Sequence, residues 1–552
     1  MRPAPLAEAR LPVLVVGAGP AGLTATAELA KRGVPVVCVD QQKRLSSLPR
    51  AVVFWPRALD IVSGLCGDTL LAERGLSIDD LHYYSGTAPI GHIRFRGPLR
   101  ATTLPQSEVE SSLAHHLALA GAPVRRATRL VALEHRPGAV AVMLHGATGP
   151  REELFSHVVA ADGAGSTVRG LLGISFEGST YADEFVLGDV RLDGPLQHRA
   201  LHYFCSPRGV LVLIGLPHGR FRVFASLGQS PQGDRTTSLE QLQDIVDERG
   251  PGGLALRDVG WHGTVTLHTR HAQRYRDGRV FLVGDAAHIH SPAGGQGVNA
   301  AIIDAHNLAW KIALVHHGSA APTLLDTYEA ERRPAAEAVL RQAQLQTRLW
   351  MLSSPWQTRA RDLMARIGSD CRLYDRSYVP WLAGLRTVYP TGTVQARPRT
   401  GPARRAARAF VPGALLPRLI VTDGPGGPGR PLHRALPDSG FTLLLTSHRP
   451  GPGMCPRTSA AVEALRGEFG PLVQVRLLDA LGVLHTQPVP DPDMRRHARC
   501  LAVLVRPDHH VAAVRPPRDT AAIAAFLRSL TLAGPRPPHS SPTAGTGKHE
   551  VR

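Results

Sequence analysis

Short apolar runs alternate with turn residues and with amphipathic segments along much of the 552-residue chain. Residues 13–16 and 36–39 are apolar runs of strand length, and residues 23–31 between them have a helical pattern. Residues 280–283 form a similar run, followed by a loop and by a helix that begins near Gly297 and carries one apolar face. This order of strands and helices predicts an α/β fold with a Rossmann-type sheet.

The middle of the chain has the pattern of antiparallel sheets. Residues 124–133, 139–144 and 154–160 predict a small sheet that precedes Asp162. Residues 201–204, 210–214, 221–225 and 264–268 are alternating or apolar runs between Gly and Pro turns, which predicts a second antiparallel sheet. One face of that sheet is expected to cover a flat aromatic ligand. The candidate lining residues are Tyr203, Phe204, Leu213, Phe221 and Phe224.

The C-terminal third begins with a helical pattern over residues 323–348 that Pro334 is expected to break. Helical signals continue to about residue 367, and the Pro-, Gly- and Arg-rich residues 390–408 predict a linker. Beyond the linker, a strand at 441–446, a helix at 459–466 and a strand at 472–478 precede a hairpin over 500–514 and a helix at 519–530. The tail from Pro535 is rich in Pro, Ser and Gly and is predicted to be disordered.

The glycine-rich sequence GAGPAG follows the first predicted strand. Gly17 permits a tight turn, Gly19 lets the backbone approach a pyrophosphate, and Gly22 lets the helix pack closely on the strand. Asp40 ends the second strand, where an acidic side chain meets ribose hydroxyls. Strand, glycines, helix and acid together predict a dinucleotide site.

A second candidate binding segment follows the strand at 280–283. It contains the acidic turn Gly284–Asp285, a loop with Gly295 and Gln296, and a helix that starts near Gly297. An acidic side chain accepts bonds from sugar hydroxyls, while the free N–H groups of a helix N-terminus favour negative charge. The two segments are predicted to form two halves of one cofactor site.

Composition excludes several other classes of protein. The net charge is +18 and the sequence pI is about 10.4, but only four lysines occur and the arginines are dispersed, which favours no nucleic-acid role. Six scattered cysteines form no CxxC pair and fit a reducing cytoplasm. The N-terminal apolar run is interrupted by glycines, so no signal peptide is predicted, and no run is long enough to span a membrane.

Three motifs carry a resemblance to a known family. They are GAGPAG at 17–22, the DG motif in VVAADGAGSTVR at 158–169, and the GD motif at 284–285. With them the chain resembles the FAD-dependent aromatic hydroxylases, or group A flavoprotein monooxygenases, and most of all the branch that oxidises aromatic polyketides, phenols and phenylpropionates. The likeness is strong over residues 11–348. Ser291 stands where many relatives have a second proline.

The resemblance implies a set of FAD-binding residues. They are Gly17, Gly19, Pro20, Ala21, Gly22, Asp40, Gln41, Arg50, Gln106, Asp162, Gly284, Asp285, Pro292, Gly295, Gln296, Gly297, Val298 and Asn299. Some also have simpler interpretations: Asp162–Gly163 as a turn and Gln106 as a helix cap. His288 and His290 lack a third metal ligand, so we expect them to lie in a loop that faces the flavin rather than to bind a metal. No catalytic side chain is identified, and Pro292, Gly295 and Gly297 are expected to face the flavin.

The resemblance also implies the reaction. FAD is reduced by NAD(P)H, with NADPH favoured, and reacts with O2 to a flavin C4a-hydroperoxide that passes one oxygen to an aromatic substrate. Two alternatives remain open: Baeyer–Villiger insertion into a polyketide, and a non-catalytic flavoprotein that binds substrate.

The expected domains are an FAD-binding domain over 1–181 and 262–350, and a substrate domain over 182–261. A helical and linker segment over 351–408, a thioredoxin-like domain over 409–532 and a tail over 533–552 follow. The thioredoxin-like domain is expected to be structural or associated with a homodimer. Because Cys455 has no partner at CxxC spacing, no dithiol chemistry is expected in that domain.

Overall fold

A five-stranded sheet lies at the centre of the N-terminal half. The computed structural model describes residues 10–45, 50–228, 238–390, 410–424, 426–491, 500–517 and 519–531. The strands, in sheet order, are Arg276–Asp277, Val280–Leu282, His157–Ala160, Val13–Val16 and Val36–Val39. All neighbours are parallel except the first pair, so the Rossmann-type prediction is confirmed. The three middle strands are buried, and the core around them includes side chains of helices and of the strands within residues 129–155.

Helices and two smaller sheets complete this half of the molecule. The helices that pack around the central sheet are Pro20–Lys31, Pro56–Cys66, Thr69–Arg74, Gln106–Leu119, Thr167–Leu171 and Gly297–His316. The predicted small antiparallel sheet contains Arg129–Arg136, Ala139–Gly146 and Gly149–Phe155. A further three-stranded sheet joins Val53–Phe54, Thr102–Thr103 and Leu76–Ser77.

An eight-stranded sheet forms the second layer. Its strands, in order, are His288–Ile289, Ala255–Ala272, Phe176–Asp193, Arg220–Gly228, Gly209–Leu216, Ala200–Ser206, Asp80–Ser85 and Ala88–Arg94. The helix Leu239–Arg249 covers one face and starts at a Ser238 capping box. The sheet extends beyond the predicted limits of 182–261, because two strands come from the preceding segment and two long strands cross those limits. Residue patterns within one segment cannot reveal such distant strand pairing.

The helix Thr327–Trp350 passes through Pro334 without a break, which corrects the expectation that proline would interrupt it. Proline lacks the N–H that would bond to the preceding turn. Buried side chains immediately before it, Glu331 and Arg332, hold this part of the helix by ion pairs. The helices Pro355–Asp370 and Val379–Leu382 follow. Most of the predicted linker, from residue 391, lies outside the described residues.

The C-terminal domain has the predicted thioredoxin-like topology. Its sheet order is Leu484–His485, Val473–Leu478, Phe441–Thr446, Ala502–Val505 and Val511–Arg515. The helices are Leu432–Ala435, Pro456–Phe469 and Thr520–Thr531. The first two long strands are parallel and the last two are antiparallel, as in a βαβ unit followed by a hairpin and a helix. Two-stranded pairs join Ile420–Val421 to Arg430–Pro431 and Gly453–Met454 to Val489–Pro490. The predicted tail lies outside the described residues.

A buried group of charged side chains joins this domain to the rest of the molecule. Arg506 donates to both oxygens of Glu331, at 2.7 and 2.8 Å, and also pairs with Asp508 at 2.7 Å. Lys311 donates to Glu331 at 2.8 Å, and Asn307 donates to both Glu331 and Asp508. Arg506, Glu331 and Asp508 are each at most 1% exposed. We call this group, Asn307, Lys311, Glu331, Arg506 and Asp508, the buried charge network.

Cys455 precedes the helix Pro456–Phe469, and no disulfide is present among the described residues. Burial raises the pKa of the Cys500 thiol, and the nearby Cys455 adds to this rise. The sequence missed this proximity because the two cysteines are far apart along the chain.

A Cys455→Ser variant is expected to keep wild-type turnover. The raised pKa keeps the neighbouring Cys500 protonated, and a protonated thiol is a poor partner for thiol–disulfide exchange with Cys455. Steady-state NAD(P)H oxidation with matched substrate measures this, and Cys38→Ser, in the central sheet, is the control for thiol loss. A large loss of turnover in a folded Cys455→Ser protein would contradict a non-redox domain.

Candidate functional site

A cavity of about 600 Å³ lies between the central sheet and the eight-stranded sheet. One end is formed by backbone of the glycine-rich turn and by Asp285, and the other by aromatic and aliphatic side chains of the second layer. The predicted site residues that line it are Gly19, Pro20, Ala21, Arg50, Gln106, Asp285, Pro292, Gly295, Gly297, Val298, Tyr203 and Phe224. The two halves of the predicted cofactor site therefore meet in one space.

The glycines of the first turn serve different purposes. Gly17 has φ +99°, and a Cβ there would lie 2.3 Å from the Ala161 carbonyl oxygen. A Cβ on Gly22 would lie 1.8 Å from the Gly17 carbonyl oxygen, so helix and strand pack without room for a side chain. A Cβ on Gly19 would meet nothing within 4 Å. Gly19 therefore exposes its backbone to the cavity without a side chain, which allows a ligand group to approach the backbone closely.

Asp40 lies at the end of the second central strand and does not line the cavity. Its carboxylate accepts hydrogen bonds from the Ala18 N–H at 2.6 Å and from the Gln42 N–H at 2.7 Å. It thus fixes the glycine-rich turn against the strand. Gln41 is exposed beside it.

Asp285 opens its side chain toward the cavity from the turn Gly284–Ala286. Desolvation by the surrounding protein raises the pKa of the Asp285 carboxyl, although the positive charges of His288 and Arg50 act to lower it. A carboxylate in this position is available to accept hydrogen bonds from ligand hydroxyls.

The loop after Asp285 leads into the helix Gly297–His316. Gly295 has φ +61°, and a Cβ there would lie 3.0 Å from Val53. Two predicted binding residues turn their side chains away from the cavity. Gln296 donates to the Leu382 carbonyl at 3.0 Å, and Asn299 bonds Trp55, Val53 and Gly295 through both ends of its amide. Their side chains hold the loop, which leaves backbone to face the cavity.

Asp162 and Gln106 also have protein partners. Asp162 accepts from the Ser166 hydroxyl at 2.6 Å and from the Val168 N–H at 3.1 Å, so it stabilises the start of a short helix. Gln106 accepts from the Ala51 N–H and donates to Glu110, yet still lines the cavity. The turn interpretation of Asp162 agrees with its contacts. Gln106 does not cap its helix, because the helix Gln106–Leu119 has no side-chain cap hydrogen bond and Gln106 instead ties it to Ala51.

The structure places two of the five predicted substrate residues at the cavity. Tyr203 and Phe224 line it, whereas Leu213, Phe221 and Phe204 lie on the opposite face of the sheet, in the core beneath the helix Leu239–Arg249. This corrects the sequence expectation for those three residues. Successive side chains of a strand point to opposite faces, so each strand supplies only alternate positions.

Sequence reasoning missed several lining residues. They are Leu187, Val212, Ile214, Arg222, Trp261, Val265, Leu267 and Trp350. Alternation from Tyr203 and Phe224 could have identified the strand positions. No local sequence pattern predicts that Trp350 lines the cavity, because it lies at the end of a long helix. Its ring centroid lies 5.1 Å from that of Tyr203.

His288 and His290 have separate partners rather than a shared ligand. His288 Nε2 lies 2.7 Å from Asp304 Oδ2, and the same oxygen accepts from the Gly284 N–H at 3.2 Å. Arg332 and His288 lower the pKa of Asp304 against the effect of burial. Asp304 therefore holds both the GD turn and the His288 ring. His290 Nδ1 lies 2.7 Å from the Ser291 carbonyl, and burial lowers its pKa to about 4.

Among the described residues, Asp80, His82 and His92 lie close enough together to suggest metal ligands. The two imidazole rings are stacked, 4.7 Å apart and 3° from parallel. Ring lone pairs lie in the ring plane, so parallel rings do not direct them at one ion. Both Asp80 oxygens are also bonded, to His92 and Gln197. The absence of a metal cofactor stays a prediction.

Comparison with known proteins agrees with this geometry. Residues 10–343 match a family model described as FAD binding domain. The chain is 35% identical to 12-dehydrotetracycline 5-monooxygenase/anhydrotetracycline 6-monooxygenase of Streptomyces rimosus, over 61% of this chain and 69% of the relative. It is 30% identical to 6-methylpretetramide 4-monooxygenase of Streptomyces rimosus, over 97% of this chain and 95% of the relative.

Solved structures extend the likeness to the whole architecture. Aklavinone-11 hydroxylase, in a ternary complex with FAD and aklavinone, superposes with a TM-score of 0.73 at 26% identity, over 95% of this chain and 99% of that one. Fold and site thus define a flavoprotein whose cofactor is FAD. More narrowly, the chain belongs to the family of FAD-dependent aromatic hydroxylases and is a monooxygenase whose substrate is an aromatic small molecule. None of the helices in the described ranges is long and apolar enough to cross a membrane.

Proposed function

We propose that the protein hydroxylates a polycyclic aromatic polyketide or a related phenol, with O2 and NADPH as co-substrates. The observation that carries this proposal is the single cavity that joins the glycine-rich turn to an aromatic wall. Its volume of about 600 Å³ lies within the range of about 300–1,000 Å³ that is usual for ligand sites. Tyr203, Phe224, Trp261 and Trp350 supply flat surfaces for a planar ring system.

The predicted cofactor residues divide into two sets. Gly19, Pro20 and Ala21 would meet the pyrophosphate with backbone, while the Arg50 guanidinium would pair with its charge. Asp285 would accept from cofactor hydroxyls. The second set would act indirectly, because its side chains hydrogen-bond to the protein and hold the turns that carry the first set. Its main members are Asp40, Asp162, Gln296 and Asn299. Bound FAD supplies the redox chemistry, taking a hydride and activating O2.

The chain contributes a dry and polarised environment for that chemistry. Apolar walls such as Leu187, Val212 and Phe224 exclude water from the ring site. The helix Gly297–His316 starts at the cavity wall with Gly297 and Val298, and the N–H groups of a helix N-terminus would stabilise negative charge there. Gly297 has no Cβ, so a ring system can approach that turn.

An activity assay tests the proposal. The purified yellow protein should oxidise NADPH faster when a polycyclic aromatic polyketide is added, and mass spectrometry should show product heavier by one oxygen. Use of ¹⁸O2 should place the label in that product. A lactone identified by NMR would instead indicate Baeyer–Villiger insertion. No stimulation by any compound of a broad aromatic panel would contradict catalysis.

An Asp285→Ala variant is expected to bind FAD more weakly by about 1–3 kcal/mol, because a partly enclosed carboxylate loses its bonds to cofactor hydroxyls. Titration of apoprotein with FAD, followed by flavin fluorescence, measures the dissociation constant. Asp277→Ala, which changes a half-buried acid on the neighbouring edge strand that does not line the cavity, is the control. Equal affinities in the two variants would remove Asp285 from the cofactor site.

Three further features stay predictions from the sequence. They are a homodimer, a cytoplasmic location and the division of the chain into domains at the stated limits. We propose that the eight-stranded sheet as a whole, with its strands from residues 80–94, forms the substrate domain.

A further inference from the structure

The helix Pro355–Asp370 has one face buried and one face bare. It packs on the edge strand Ala88–Arg94 and its neighbour: Ser369 donates to the His92 carbonyl at 3.1 Å, and Arg361 donates to Ser85 at 3.1 Å. On the other side, Trp356 is 70% exposed, and Leu363 and Met364 are 60% exposed each. Ile367 continues the same row at helical spacing. The result is a continuous apolar stripe on the surface.

The stripe is large for a surface that stays in water. Large side chains expose roughly 150–250 Å² when free, so the four side chains leave about 500 Å² uncovered. Exposed patches above a few hundred Å² mark interaction sites. Two such stripes would bury about 1,000 Å² before flanking residues are counted, close to the lower bound of about 1,200 Å² for stable interfaces.

The rest of the chain supplies no good cover for it. The segments outside the described residues are 1–9, 46–49, 229–237, 391–409, 425, 492–499, 518 and 532–552. By sequence, each carries at most two large apolar side chains, and the longest internal one is rich in Arg, Ala, Pro and Gly. None matches four bulky apolar residues on a helix face. The occupant must come from outside this chain.

Charges on the helix favour a second, antiparallel copy of it. No acid lies in the first turn and no base in the last, while Asp370 ends the helix, where the dipole disfavours negative charge. Arg359 and Asp370 have no ion pair with the described residues. Arg359 and Asp370 lie at equal distances along the helix from a point just after Met364. If two antiparallel copies cross at that point, Arg359 of each copy lies opposite Asp370 of the other. A membrane surface would instead favour cations alone around the stripe.

We propose that this face, formed by Trp356, Leu363, Met364 and Ile367, is the contact between two copies of the chain. It lies on the helical segment and the edge of the eight-stranded sheet, not on the thioredoxin-like domain, where the sequence suggested a dimer contact. The inference is independent of the substrate and of the reaction.

Light scattering after size-exclusion chromatography tests it on the full-length holoprotein. The wild type is expected at twice the chain mass of 59.2 kDa, and Met364→Glu near the mass of one chain. Leu119→Glu, which changes an isolated leucine that is 76% exposed, is the control and should stay dimeric. Circular dichroism verifies that each variant is folded.

A charge exchange tests the antiparallel arrangement. Arg359→Glu and Asp370→Arg are each expected to weaken the dimer about tenfold or more, and the double variant should recover it. A wild type that is monomeric at all concentrations, or a dimer that Met364→Glu leaves intact, overturns the proposal. Binding of monomers to anionic vesicles, lost in Met364→Glu, would assign the face to a membrane surface and also overturn it. Hydroxylase assays on the same samples report on the proposed reaction separately.

Discussion

An Arg506→Met variant is expected to lose about 3–5 kcal/mol of unfolding free energy, because it leaves Glu331 and Asp508 buried without their principal cation. Arg506 makes four hydrogen bonds to these two carboxylates and is 1% exposed. Methionine replaces its apolar stem, so the loss reports mainly on charge. Urea unfolding followed by circular dichroism measures it, with transitions at several wavelengths compared to detect separate unfolding of domains.

The matched control is Arg528→Met in the same domain. Arg528 pairs with Glu468, but both side chains are exposed to solvent, so this change is expected to cost far less than Arg506→Met. A loss in Arg506→Met no larger than in the control would show that the buried charge network contributes little to stability.

The effect of Arg506→Met should depend on pH. Burial alone would raise the pKa of Glu331, but Arg506 and Lys311 hold it far below its usual value. A lowered folded-state pKa gives stability that is present above the unfolded pKa of about 4.3 and is lost as pH falls below it. The difference in unfolding free energy between wild type and Arg506→Met should therefore be largest at neutral pH and smaller at acidic pH.

The second large effect is expected at the glycine-rich turn. Gly22→Ala places a methyl group 1.8 Å from the Gly17 carbonyl oxygen and 3.2 Å from the Ala161 side chain, so backbone must move. We expect a loss of about 3 kcal/mol or more, and protein that purifies without flavin. The thermal midpoint of apoprotein and the flavin absorbance per chain measure the two consequences.

Gly19→Ala, three residues earlier, separates packing from binding. Its added methyl group meets no protein atom within 4 Å, so the apoprotein should lose less than about 1 kcal/mol. The methyl group would nevertheless stand between the backbone and the cofactor's pyrophosphate, and FAD affinity should fall about tenfold or more. Unchanged affinity in Gly19→Ala would mean that the cofactor does not approach this turn.

The sequence was most informative where local chemistry decides structure. Gly17 and Gly22 act within one strand–turn–helix unit, so their spacing alone predicted the close packing around them. Asp40 was predicted to meet ribose hydroxyls, whereas its carboxylate bonds the backbone of the turn. The order of strands and helices in the C-terminal domain was predicted for the same reason, since each has its own apolar period, and the resemblance to the family implied that this order is thioredoxin-like. Tyr203 and Leu213 illustrate the limit: both lie on apolar strands, and only the pairing of strands decides which side chains face the cavity.

Other features depend on contacts between distant parts of the chain. The strands at 80–94 join the eight-stranded sheet beside Ala200–Ser206, and nothing in their own pattern names that neighbour. Arg506 and Glu331 are 175 residues apart, and each resembles an ordinary surface residue in the sequence. Pro334 shows the converse, because buried ion pairs beside it outweigh its local tendency to end a helix.

The buried charge network also limits how this chain can be recombined with its relatives. A chimera joined between residues 390 and 410 would take Asn307, Lys311 and Glu331 from one parent and Arg506 and Asp508 from the other. Such a hybrid keeps every domain complete, yet it folds well only when the two parents carry matching charges at these five positions. In designing such hybrids, parents with matching residues at positions 331 and 506 should therefore be chosen first, and differences in the substrate cavity considered afterwards.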